Sequence, residues 1–216
     1  MGSQTRPENT AEERLAYRRL LRRSLIEQRR ALPAAECARL SACLCQHLRE
    51  SFPQLAVLRV AFCWPMHNEA DVRPLIEEWL NKGNQGFAAL LPVVLEKNAA
   101  LAFRPWRLGA PLLADRYGIP TPSSGDFVTP DALLLPVNAF DAAGYRLGYG
   151  GGYFDRTLAA LNLAGQHPLV IGTGFELARV SSIRPEPHDL PLDAIVTEQG
   201  VFIGTRSPML CNASKA

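Results

Sequence analysis

Lysine is nearly missing from this chain of 216 residues: only Lys82, Lys97 and Lys215 occur, and none follows a glycine. The Gly-Lys-Ser/Thr end of a P-loop is therefore excluded. No apolar run approaches the ~18 residues of a membrane span. The polar, arginine-rich N-terminus lacks the apolar centre of a secretory signal, and Arg6 stands where a myristoylation start needs Ser or Thr. Five cysteines, Cys37, Cys43, Cys45, Cys63 and Cys211, make an odd count without framework spacing, as expected of reduced thiols in a cytoplasmic protein. Cys43-Leu-Cys45-Gln-His47 falls in a stretch of helical periodicity, where positions two apart point about 200° from each other, so the two thiols do not chelate together. In that compartment the glycosylation pattern at Asn212-Ala-Ser214 has no consequence. A net charge of only +2 makes the whole molecule a poor nucleic-acid magnet. Neither a nucleic acid nor a membrane is expected as a partner.

With 47% hydrophobic and 20% charged residues the chain is composed like an ordinary globular protein. Its length suits one domain, read here as 11–205, between a disordered tail at 1–10 and a C-terminal tail at 206–216. Helices are expected over Glu12–Ala31, Ala34–Glu50 and Ala70–Asn81, the last opened by Asp71 in its first turn and closed by Gly83. Strands are expected at Val57–Phe62, at Phe87–Leu91 ending on Pro92, at Leu101–Arg104, around Leu133, at Leu169–Thr173 and at Ala194–Thr197. Residues 105–130, rich in proline, read as loop. Strands separated by helices predict an α/β fold: three layers, Rossmann-like, a mostly parallel sheet with helices on both faces. In such sheets ligands sit beyond the carboxyl ends of the strands.

The most informative stretch is Arg146-Leu-Gly-Tyr-Gly-Gly-Gly-Tyr-Phe-Asp-Arg156. It follows the apolar run Ala132–Pro136 and leads into a helix from Tyr153 to Leu161, with Leu158 and Leu161 on its apolar side. A strand, a glycine-rich loop and a helix start together aim backbone amides at an anion, here a phosphate. The spacing is not that of the dinucleotide fingerprint, because the sixth position from Gly148 is Tyr153. A plain surface turn is the competing account, but a plain turn has no use for four glycines bracketed by arginines. Near the front of the chain, seven arginines and a single acid, Glu27, lie between Arg14 and Arg30. Arg14, Arg18 and Arg22 recur every four residues, a like-charge pattern costing roughly 0.2–0.5 kcal/mol per pair in a helix. Guanidinium forks suit phosphate oxygens. By itself the pattern equally fits a solvated face.

Pro136–Asp141 and Gly144–Leu158 together resemble the signature of the 5-formyltetrahydrofolate cyclo-ligase family, also called methenyltetrahydrofolate synthetases. The basic N-terminal helix, Phe62–Glu69, Leu91–Val93, Tyr117–Pro122, Pro187–Asp193 and Ile195–Glu198 resemble the same family in the same order, so the similarity covers about residues 11–203. The resemblance implies conversion of 5-formyltetrahydrofolate to 5,10-methenyltetrahydrofolate: ATP phosphorylates the formyl oxygen, the ring closes, and ADP and phosphate are released. No enzyme nucleophile is needed for this, and no Ser/His/Asp or Cys/His constellation is apparent. Catalysis would be positioning and charge neutralisation.

The resemblance further implies an ATP site of Arg18, Arg22, Arg146, Leu147, Gly148, Tyr149, Gly150, Gly151, Gly152, Tyr153, Phe154 and Asp155. It implies a folate site of Trp64, Glu69, Tyr117 and Tyr153. Glu69 would hold the amino-pyrimidinone edge of the pterin, and Tyr153 and Arg146 would be catalytic. Mg²⁺ would be the cofactor, held by Asp155 and Asp189, with Asp193 an outside candidate that otherwise caps the next strand. Arg18 stands where the family usually has lysine, Tyr149 and Gly151 where some relatives carry basic residues, and Phe154 where many have tyrosine. The expected partners are ATP and a reduced folate, with polyglutamylated forms left open, and a monomer is expected. Alternatives are a non-catalytic folate- or nucleotide-binding or RNA-associated member of the same fold, and another α/β phosphotransferase built on a glycine nest.

Overall fold

A computed structural model describes residues 10–206. The two expected tails, apart from Thr10 and Arg206, lie outside the described residues, as do Cys211, Asn212 and Lys215. In chain order the elements are α1 (Ala11–Arg30), α2 (Ala34–Ser51), β1 (Arg59–Phe62), α3 (Arg73–Lys82), β2 (Ala88–Val93), β3 (Ala102–Trp106), β4 (Leu112–Ala114), β5 (Pro120–Pro122), β6 (Ala132–Pro136), β7 (Ala139–Phe140), β8 (Arg146–Leu147), α4 (Tyr153–Leu163), β9 (Leu169–Thr173), β10 (Ala194–Thr197) and β11 (Gly200–Ile203).

Seven strands form one sheet in the order β11-β10-β9-β6-β1-β2-β3. The inner five are mutually parallel, and β3 and β11 close the two edges antiparallel. Along β6 the side chains alternate between two cores, as the pleat requires. Ala132 and Leu134 pack with Leu44 and Leu48 of α2 and with Leu75, Ile76 and Trp79 of α3. Leu133 and Leu135 pack with Leu158 of α4 on the opposite face. The sheet is thus covered on both sides, as the near-continuous apolar strands predict. A third cluster, Leu25, Ala139, Leu147 and Ile183, fixes α1 against the β7–β8 pair.

Chain order reverses at β1, whose neighbours are β2 on one side and β6 on the other. That is the switch point of an open parallel sheet, where the loops after adjacent strands diverge and ligands commonly sit. The loop after β1 carries Glu69, and the segment after β6 carries Asn138 and leads on through β7 and β8 to the glycine loop.

Element boundaries differ from expectation where local chemistry intervenes. α3 begins at Arg73, and Asp71 sits two residues ahead of it, its Oδ1 accepting from the Arg73 amide at 2.9 Å. Gly83 ends the helix in the left-handed region, φ +62°. β2 runs through Pro92 to Val93, because its pairing with β1 ends at Leu90 and only β3 continues beside it. A proline is tolerated where one side of a strand needs no donor. The proline-rich stretch is not all loop: β4 and β5 make a small antiparallel hairpin. Val57, expected to open the first strand, instead ends a 3₁₀ turn over Pro53–Val57, and the strand begins at Arg59.

Candidate active site

The basic face of α1 and the glycine loop meet. Arg22 Nε donates to the Gly148 carbonyl at 2.6 Å, joining residues 126 positions apart. Among the described ion pairs Arg22 has no carboxylate. Burial, and then the charge of Arg18, lower its pKa, so its positive charge is held at a cost that an anion would relieve. Arg18, one turn earlier, is buried and forks onto Asp189: Nη1 bonds Oδ2, and Nη2 reaches Oδ1 at 3.2 Å. Arg18 Nη1 also donates to the Arg184 carbonyl at 3.2 Å, and the Glu186 amide donates to Asp189 Oδ2 at 2.7 Å. Burial alone would raise the Asp189 pKa; the Arg18 hydrogen bond, the Glu186 amide and the Arg18 charge together outweigh it and hold the carboxyl low.

The glycine loop is shaped for an anion. Gly150 and Gly152 take φ +93° and +64°, conformations that side chains rarely adopt. Gly152 is the N-cap of α4 and supplies no side-chain cap, so the first amides of that helix keep their donors. A Cβ placed on Gly148 would meet nothing within 4 Å; this glycine is not required by the packing of the chain around it. Asp155 lies in the first turn of α4, where the helix dipole favours an anion. Its Oδ1 accepts from Arg146 Nη2 at 2.8 Å, and Arg146 Nη1 is anchored on the Leu190 carbonyl at 3.1 Å. Arg146 is buried beneath the loop, and its guanidinium holds Asp155. Leu147 is fully buried and Phe154 packs against the α4 core, so each offers the site only its backbone.

On the other side of the switch point lies a cluster whose arginine the sequence reading did not single out. Arg29, in the last turn of α1, donates through Nε to the His67 carbonyl (3.1 Å), through Nη1 to Asn138 Oδ1 (2.7 Å) and through Nη2 to the Tyr149 hydroxyl (2.8 Å). Tyr149 in turn donates to Glu69 Oε1 at 2.6 Å. The Met66 amide donates to Glu69 Oε2 at 2.9 Å. Glu69 and Arg29 stand 3.8 Å apart. Burial raises the Glu69 pKa more than these partners lower it. His67 and Asn68 take left-handed φ values of +52° and +59°, which turn the chain back to present Glu69. Asn68 Nδ2 donates to the Arg30 and Leu32 carbonyls at 3.2 and 3.1 Å, capping the end of α1. Asn138 Nδ2 is a buried donor with no partner among the described residues, an unspent hydrogen bond within this cluster.

Tyr117, in the turn of the β4–β5 hairpin, meets Tyr153, the first residue of α4: the hydroxyls are 2.6 Å apart and the rings edge-on at 5.9 Å. The two hydroxyls share one hydrogen bond in which either can donate, and the Arg116 and Arg156 charges lie near Tyr153. Trp64 is placed differently. Its ring meets Trp106 edge-on at 5.9 Å and carries the Arg73 guanidinium at 4.7 Å, and it makes no ring contact with Tyr117. Asp193 caps β9, its Oδ2 accepting from the Val170 amide at 2.7 Å.

Comparison with known proteins identifies the family and the fold. The model of the 5-formyltetrahydrofolate cyclo-ligase family matches residues 14–198. The Escherichia coli K12 5-formyltetrahydrofolate cyclo-ligase is 32% identical over 156 residues, covering 69% of this chain and 83% of that protein. The Mycolicibacterium smegmatis 5-formyltetrahydrofolate cyclo-ligase is 27% identical over 197 residues, covering 86% and 96%. Among solved structures, Aquifex aeolicus 5,10-methenyltetrahydrofolate synthetase superposes with a TM-score of 0.73 at 28% identity, over 88% of this chain and 94% of that one. The fold and the family match define an ATP-dependent ligase. The chain belongs to the 5-formyltetrahydrofolate cyclo-ligase family, ATP-dependent ligases of folate one-carbon metabolism.

Proposed function

We propose that this chain uses the described site to turn 5-formyltetrahydrofolate and ATP into 5,10-methenyltetrahydrofolate, ADP and phosphate. The observation that carries the reading is the Arg22–Gly148 contact at 2.6 Å, which unites the basic helix and the amide-rich loop at one place. Arg18 and Arg22 face the triphosphate from α1, and the amides of Gly148 to Phe154 face it from the loop. The pterin edge lies on Glu69, with Tyr117 offering a flat face to the folate rings; Trp64, one face of which carries Arg73, is not assigned a contact. The Tyr153 hydroxyl orients the formyl group.

The formyl oxygen attacks the γ-phosphorus, and ADP departs with the electrons of the broken P–O bond. The N10 nitrogen then attacks the formyl carbon, and as the ring closes phosphate leaves with the proton that N10 loses. The residues of this chain contribute positioning, an environment poor in water, and positive charge where the leaving groups develop negative charge. No group of three or more His, Cys, Asp or Glu that could hold a metal occurs among the described residues. Mg²⁺ takes one or two carboxylates and completes its shell with phosphate oxygens and water, and the carboxylates of Asp155 and Asp189 are of the kind it takes. Asp155, partly exposed beside the loop and held by Arg146, would be the first ligand, and Asp189 a second on release from Arg18. The ion would supply positive charge that offsets the charge of the triphosphate. The reading takes the protein as a monomer. The described cysteines are all free, in keeping with a reducing cytoplasm.

The test is turnover followed by the near-ultraviolet absorbance of the conjugated methenyl product. The signal is expected only with ATP and folate together. Arg22→Ala is expected to raise the KM for ATP about tenfold, the size of one charge-assisted hydrogen bond, with folate affinity kept. No product under any condition, or an Arg22→Ala effect confined to thermal stability, overturns the reading.

A further inference from the structure

Tyr149 occupies an unusual position. It belongs to the glycine loop, yet its hydroxyl reaches to the folate side. There the hydroxyl accepts from Arg29 at 2.8 Å and donates to Glu69 at 2.6 Å. The residue as a whole is half exposed while Glu69 beneath it is buried. Both Glu69 oxygens are engaged, Oε2 by the Met66 amide of its own loop and Oε1 by Tyr149. A ligand that brings N–H donors to Glu69 therefore competes with one of these two. The Met66 amide is part of the backbone turn that forms the site; the Tyr149 side chain can rotate away. Burial, then the Glu69 charge, keep the Tyr149 phenol protonated, so it remains a donor to the carboxylate.

We propose that Tyr149 is a placeholder and coupling residue: its hydroxyl fills the pterin's place on Glu69 until the folate arrives, and its eviction frees the glycine loop to close on the nucleotide. This rests on the reading that Glu69 receives the pterin edge. The rest of the cluster stays in place during the exchange, because Arg29 keeps the His67 carbonyl and Asn138. One loop thus carries both an amide nest for phosphate and a hydroxyl that senses whether the other substrate is present. Linkage makes the effect mutual: if folate releases the loop for nucleotide, nucleotide held by the released loop favours folate by the same factor.

The test is calorimetric titration of the full chain with 5-formyltetrahydrofolate, alone and with a non-hydrolysable ATP analogue. Tyr149→Phe is expected to bind the folate alone about fivefold more tightly, since entry no longer displaces a hydrogen bond. The factor by which nucleotide analogue and folate tighten each other is expected to fall toward one. Tyr149→Leu, which also lacks the hydroxyl, shifts both quantities the same way. A merely structural tyrosine gives no gain of affinity on removal. Unchanged or weaker folate binding in both variants overturns the proposal, as does a coupling factor equal to that of the wild type. Glu69→Gln separates the two readings. If it binds folate like the wild type, the assignment of Glu69 falls and the placeholder with it; if it loses folate while Tyr149→Phe behaves like the wild type, only the placeholder falls.

Discussion

Arg18 and Arg29 lie three turns apart on one helix, each nearly buried and each beside a nearly buried carboxylate, yet the two carboxylates are pushed in opposite directions. Asp189 is held below the usual aspartate range and Glu69 above the usual glutamate range. Burial opposes ionisation in both. The difference is one of contact. Arg18 forks directly onto both Asp189 oxygens, and the Glu186 amide adds a third bond. Arg29 stands off at 3.8 Å with a tyrosine hydroxyl between, and spends its other donors on His67 and Asn138. A cation at hydrogen-bond distance offsets desolvation, and the same cation one hydroxyl away does not. Near the glycine loop Arg18 has its own carboxylate, while Arg22 has none among the described ion pairs. Glu69 accepts from a hydroxyl and a backbone amide but has no cation bonded directly to it. In the proposed reading Arg22 and Glu69 are the two groups that substrates address.

The largest effect is expected from breaking the closer pair. Asp189→Ala strands the Arg18 guanidinium in a buried place and is expected to cost about 3 kcal/mol of unfolding free energy near neutral pH. The sign with pH follows from a depressed folded-state pKa: the pair's contribution is present above the usual aspartate value of 3.8 and is lost as pH falls through the lower folded value. Urea unfolding of wild type and Asp189→Ala should therefore converge only below pH 3.8. A gap that persists unchanged into that range would mean that packing, not charge, sets the cost.

Glu69 is expected to show a smaller effect of opposite sense. Its folded pKa is raised, so its contribution to stability is fully present below the usual glutamate value of 4.5 and is lost as pH rises through the raised folded value. Glu69→Gln removes that loss. Wild type should lose stability relative to Glu69→Gln as pH climbs above 4.5, the reverse of the Asp189 trend. Parallel slopes in the two urea series would show that the two arginine–carboxylate pairs do not differ as argued.

Much of this was legible in the residues, and what was missed has physical reasons. The apolar runs at Ala132–Pro136 and Leu169–Thr173 marked inner parallel strands because both their faces are covered. β7 and β8 are two residues each, too short for any periodicity, and β11 is half-buried along its whole length and so lacks an apolar alternation. Arg18 and Arg22 came from a four-residue repeat and a family resemblance. Arg29 was passed over as one more charge in a basic helix, although Arg18, Arg22, Leu25 and Arg29 form an i, i+4, i+7, i+11 stripe, and Leu25 is buried on it. That stripe was the available signal. Nothing local could show that Tyr149 would reach Glu69 across 80 positions, since the meeting is made by the strand order at the switch point.

The smallest effect concerns the loop that joins the two sides, where two glycines separate shape from function. Gly152 takes φ +64°, and a Cβ there would come within 2.7 Å of Arg156 Nη1. Gly152→Ala is expected to cost about 1–2 kcal/mol of stability from the left-handed backbone alone. Gly148 has neither constraint: its φ is not in that region and a Cβ would meet nothing within 4 Å. Gly148→Ala is therefore expected to leave the protein as stable as the wild type, or up to about 1 kcal/mol more so through a stiffer unfolded chain. If the open space beside Gly148 receives phosphate, the added methyl keeps the backbone from close approach, and nucleotide affinity falls several-fold while folate affinity holds. Thermal unfolding and calorimetry on the same two variants separate the cases. Loss of stability in Gly148→Ala, or nucleotide binding equal to the wild type, would mean that the anion does not approach the loop there and that Arg22, bonded to the Gly148 carbonyl, serves packing alone.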